Sequence, residues 1–140
     1  FHTLNSRRVK TIKKMAKSHD LDLVVHAPFA GIDIAVPSPV LRRTILKRLK
    51  KSIFYARQLD CRLWLFHPGL QSGISHFYPG LDWKLNLGSV RTLLKVAREE
   101  GVEIAVENVP EPYPTEAAIA RWTRASRTGS CISRASSRAA

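Results

Sequence analysis

The chain has 140 residues, 44% of them apolar, which suits one ordinary domain with a buried core and excludes wholesale disorder. No apolar run approaches the roughly 18 residues of a membrane span, residues 1–5 do not read as a signal peptide, and Cys61 and Cys131 form neither a CxxC pair nor a disulfide framework, so a reducing, cytoplasmic setting is expected. The 23 Lys and Arg against 11 Asp and Glu give a net charge of +12, which invites a nucleic-acid reading, but these cations fall largely on the polar positions of two predicted helices, where solvated helix faces account for them.

In chain order, the first residue is Phe rather than Met, and the chain is read as an incomplete piece. Residues 5–18 place Val9, Ile12, Met15 and Ala16 on one face, the spacing of an amphipathic helix. Residues 21–25 form a short apolar run that ends at His26-Ala27-Pro28, and a loop containing Asp33 follows. A second helix is predicted over 39–58, with Leu41, Ile45, Leu49, Ile53 and Ala56 repeating, Ser38 as N-cap and Pro39 at the first helical position. The run Leu63–Phe66 ends at His67-Pro68-Gly69, and a glycine-bearing loop with His76 leads to a helix over 82–100 that Gly101 stops. Residues 102–106, apolar apart from Glu103, form a third run, closed by Glu107-Asn108-Val109-Pro110.

Each run is short, rich in Val, Ile, Leu or aromatics, and followed closely by proline, which cannot continue a central strand. Strands alternating with helices predict right-handed crossovers and a parallel sheet. Residues 115–140 are different: Arg121, Arg124, Arg127, Arg134 and Arg138 sit among Ser, Ala, Thr and Gly with no apolar periodicity. The segment is expected to be a disordered basic tail or the product of a wrong reading frame, and it is set apart from a unit spanning 1–114.

His26, His67 and Glu107 are spaced about forty residues apart, and each falls at the C-terminal end of a predicted strand. In parallel α/β folds that edge is where sites are built, and strands ~4.8 Å apart can bring three side chains to one ion. Two imidazoles and a carboxylate suit Zn²⁺, Mn²⁺ or Fe²⁺ with a position left open. The plain alternative is that each histidine is a hydrogen-bonded structural residue; a carboxylate closing a buried strand is harder to explain without a partner or a metal. Asn108 is a candidate to hold Glu107 by a hydrogen bond or to bond substrate, and Asp33 a candidate for a substrate hydroxyl, although a loop Asp also turns the backbone. His76 is a further candidate for the site, with a solvated histidine as the alternative. Trp64 is read as packing. No phosphate-cradling glycine loop or nucleophile elbow is present.

The segments "VVHAPF", "LFHPG" and "EEGVEIAVENVP", in this order and spacing, resemble the xylose-isomerase-like barrel superfamily, which holds sugar-phosphate isomerases and epimerases as well as endonuclease IV. The resemblance covers about residues 8–114. It implies a partial (β/α)8 TIM barrel of about three parallel strands, the second to fourth of the barrel, with flanking helices. It also implies that His26, His67 and Glu107 are metal ligands, that a sugar or sugar phosphate is the substrate, and that the remaining catalytic residues lie on strands this chain lacks. Two other readings follow: a zinc-dependent endonuclease IV-type enzyme whose partner is DNA, and an inactive truncated fragment able to self-associate through open sheet edges.

Overall fold

The computed structural model describes residues 4–70, 73–107 and 132–134. Helix α1 (Ser6–Ser18) leads to strand β1 (Val24–His26), helix α2 (Pro39–Gln58) and strand β2 (Leu63–Phe66). A single 3-10 turn (Gly73–His76) precedes helix α3 (Leu81–Glu100), strand β3 (Glu103–Val106) and a further short strand β4 (Ile132–Arg134). All neighbours pair in parallel, in the order β1-β2-β3-β4, so the three expected strands and their flanking helices are present. From the segment read as a basic tail, residues 132–134 line up beside β3, while the rest of 115–140 and the division at 114 lie outside the described residues.

Local chemistry explains the helix boundaries. Asn5 caps α1 by accepting the Arg8 amide on its side chain at 2.9 Å, and Ser38 caps α2 ahead of Pro39. The three helices among the described residues stop in one way. Asp20, Asp60 and Gly101 adopt left-handed φ values of 51°, 58° and 67°. The next residue in each case, Leu21, Cys61 or Val102, then donates its amide to an alanine carbonyl in the last turn, that of Ala16, Ala56 or Ala97. This six-to-one bond satisfies a carbonyl that a helix end otherwise leaves open. Glycine was the expected stop at 101; aspartate takes the same backbone role at 20 and 60 because its short polar side chain tolerates the left-handed region.

The strands alternate cleanly. Trp64, Phe66, Ile104 and Val106 face α2 and α3 and join Leu49, Ile53, Ala56, Val90, Leu93 and Ala97 in one buried core. Trp64 lies stacked on Phe66 with centroids 5.2 Å apart, and its indole N–H donates to the Ser52 hydroxyl at 3.0 Å, so it packs as expected. Alternate residues Val24, His26, Leu63, Leu65 and Ala105 point to the opposite face, where Val24 is 57% exposed. Among the described residues no helix is long and apolar enough to cross a membrane.

Candidate metal centre

Register brings the three polar strand ends together. His26 pairs with Leu65, and the ladder runs on past β1 through the Ala27 amide to the Leu65 carbonyl at 2.7 Å. Phe66 pairs with Val106, and the Glu107 amide donates to the Phe66 carbonyl at 2.9 Å, which sets His67 level with Glu107. Since parallel partners share a face, His26, His67 and Glu107 all project from the side of the sheet that the helices leave uncovered.

The side chains converge. His26 Nε2 lies 2.9 Å and His67 Nε2 3.1 Å from the same carboxylate oxygen, Glu107 Oε2. One ligand atom from each of the three lies within 4.8 Å of the other two. His67 is the most enclosed, with 18% of its side chain exposed against 38% for His26 and 37% for Glu107. Burial alone pushes the Glu107 carboxyl up. The hydrogen bond with His26 and the charges of His67 and His26 outweigh it and hold the group below its ordinary value.

The donor set fits a divalent ion. His26 Nδ1 lies 2.8 Å from the Ala27 carbonyl, an acceptor only, so Nδ1 carries a proton and donates it. In the neutral ring Nε2 then presents a lone pair toward a carboxylate oxygen, and two lone pairs at this separation require a proton or a cation to reconcile them. Backbone-bonded Nδ1 with Nε2 turned inward is also how metal-binding histidines are commonly held.

Other side chains position the loops that carry these residues. Asp33 Oδ1 accepts the Ala35 amide at 2.8 Å and the Leu70 amide at 3.1 Å, tying the loop after β1 to the loop after β2. Gly69 fits between them: a Cβ there would meet the Ala35 amide nitrogen at 2.5 Å and Asp33 Oδ1 at 2.7 Å. From α3, Asn86 accepts the Gly69 amide at 2.7 Å, and the Ser89 hydroxyl donates to the Ile34 carbonyl at 2.6 Å. The backbone-turning alternative for Asp33 is thus what its contacts show. His76 sits exposed in the 3-10 turn, edge-on to Phe77, and is not among the converging donors. Asn108 lies outside the described residues.

Three contributors escaped the sequence reading. Asn86 and Ser89 fall on the apolar stripe of α3 with Val90, Leu93 and Ala97, and a polar residue on such a stripe is a legible sign of a buried hydrogen bond. Phe29 lies against both imidazoles, and nothing in its local pattern marks it out. A cavity of about 440 Å³ lies between β1 and α2, lined by Val25, Phe29 and Tyr55 with Arg48 and Lys51 also on its walls, and of the three converging residues it touches His26 alone.

Comparison with known proteins agrees with this architecture. The chain is 24% identical over 109 residues to the uncharacterised protein MJ1311 of Methanocaldococcus jannaschii, an alignment covering 78% of this chain and 37% of that protein. Its fold is similar to a protein assigned as a xylose isomerase from Rhodospirillum rubrum (TM-score 0.77, 17% identity, 91% of this chain and 47% of the other). It is also similar to D-psicose 3-epimerase from Clostridium cellulolyticum H10, solved with D-tagatose (TM-score 0.72, 19% identity, 86% and 45%). The chain therefore spans less than half the length of these relatives, and its fold is that of part of a TIM barrel. The sequence profile of the xylose isomerase-like TIM barrel family matches residues 1–127, and the chain belongs to that family.

Proposed function

We propose that this chain carries the metal site of a divalent-metal-dependent sugar or sugar-phosphate isomerase or epimerase, with His26, His67 and Glu107 as the ligands. The observation that carries the reading is the meeting of two Nε2 atoms on one carboxylate oxygen at the C-terminal ends of three parallel strands. Zn²⁺, Mn²⁺ and Fe²⁺ all accept such a set. When bound, the ion supplies Lewis-acid polarisation of carbonyl and hydroxyl oxygens on a substrate.

The chain's own residues prepare that site. The Ala27 carbonyl fixes the His26 tautomer and leaves Nε2 free to ligate. Glu107, held ionised, offsets part of the cation's charge. Asn108, next in sequence to Glu107, is proposed to orient it. Among the described residues we assign no base for proton transfer. The solved neighbours named above are a sugar epimerase and a xylose isomerase-like protein, so the DNA-repair reading, which leans on the basic helices, comes second.

Metal content separates the proposal from a purely structural cluster. The purified chain, equilibrated with Zn²⁺, Mn²⁺ or Fe²⁺ and then dialysed, is expected to retain about one ion per chain, and His67→Ala to lose it, as read by elemental mass spectrometry. Equal retention in wild type and variant, or none in either, would sink the assignment.

A further inference from the structure

The two imidazoles differ in how their planes are set. A histidine's terminal torsion is broad and roughly two-fold, so a ring aimed at a metal needs an external constraint. For His26 part of that constraint is the Ala27 carbonyl. A second is shared between the rings. Phe29 lies stacked on His67, with centroids 5.4 Å apart and planes 17° from parallel, and meets His26 edge-on at 5.6 Å and 81°. The imidazoles themselves stand 5.1 Å apart at 78°. One aromatic ring therefore touches both and reproduces the angle between them.

Phe29 does this while 60% exposed, so it is not held there by burial in the core. Its backbone is held instead. The Phe29 carbonyl accepts the Ile32 amide at 3.0 Å across a turn whose third residue, Gly31, has a φ of 69°. Beyond the turn, Asp33 and Ser89 pin the loop to the segment after β2 and to α3. Stacked and edge-on contacts at these separations are attractive beyond simple area burial.

We infer that Phe29 is a positioning residue of the metal centre, an aromatic clamp that holds the His26 and His67 rings in the mutual orientation needed to share one ion. The inference rests on the ligand assignment proposed above and adds a residue that never touches the ion. Groups that orient ligands without coordinating are worth about ten- to a hundred-fold in metal affinity.

The test uses the full chain and Zn²⁺ alone. Phe29→Ala is expected to weaken zinc binding at least about ten-fold by chelator competition, with Phe29→Leu also weakened and Phe29→Tyr close to wild type, because flatness rather than volume is required. Helix content by circular dichroism should be the same in all four proteins. In the metal-free chain, NMR cross-peaks between the Phe29 ring and both imidazoles should be present, and the imidazole resonances should move in Phe29→Ala. Wild-type zinc affinity in Phe29→Ala, or missing cross-peaks in the metal-free wild type, overturns the clamp. A wild type that binds no zinc but shows the cross-peaks removes the metal reading and leaves the clamp as the rings' orienting contact.

Discussion

On the helix-covered face of the sheet, Trp64, Phe66 and Ile104 are at most 1% exposed; on the other face, His26 and Glu107 keep more than a third of their side chains in solvent. Both sets come from the one sheet that β1, β2 and β3 build, separated only by the alternation of side chains along an extended backbone. The covered face accounts for stability, because close-packed apolar groups there exclude water. The open face could not do so with two imidazoles and a carboxylate, and its geometry is what the proposed metal site would use. One strand can thus anchor a core with Phe66 and end in a candidate metal ligand with His67, provided the register with its neighbours is strict.

This division can be broken from either side. The largest effect is expected from Phe66→Ala, which empties a fully buried position and should cost about 3–5 kcal/mol in urea unfolding. A loss much below that range would mean that the covered face is not the principal source of stability. Gly69→Ala tests the link between the faces. The added methyl collides with backbone at Ala35 and crowds the Asp33 carboxylate, so about 1–3 kcal/mol should be lost together with zinc affinity. Stability lost with zinc binding unchanged would show that the loops and the cluster are independent.

The smallest effect concerns pH. Glu107 titrates below its ordinary value in the folded chain, so its contribution is present above the unfolded-state carboxylate range and is lost as pH falls through the lower folded value. In metal-free protein the stability difference between wild type and Glu107→Gln should therefore shrink on going from about pH 6 to about pH 3. With the side chain 37% exposed, solvent screening keeps the change small. A constant or widening difference would contradict the pairing with His26 and His67. Phe66→Ala, which touches no titrating group, serves as the control.

The sequence by itself determined the element order, the helix caps at Ser38 and Gly101, and the three strand-end residues. Each is written in a local code: apolar period, capping chemistry, and a polar residue followed by proline. The repeated helix stop was equally local, since Ala16, Ala56 and Ala97 each precede a left-handed residue by four, but aspartate at 20 and 60 disguised it where glycine marks it at 101. Only tertiary structure decided which histidines meet. His26 and His67 are brought to Glu107 because register levels their strands, whereas His76, of the same residue type, lies in a separate turn. Tertiary structure also chose Phe29 as the ring between them and set Asp33, Gly69, Asn86 and Ser89 into one latch across two loops and a helix. It added β4 beside β3, from a segment whose composition carries no strand pattern. Such contacts join residues tens of positions apart and depend on inter-strand register and helix packing, which leave no period along the chain.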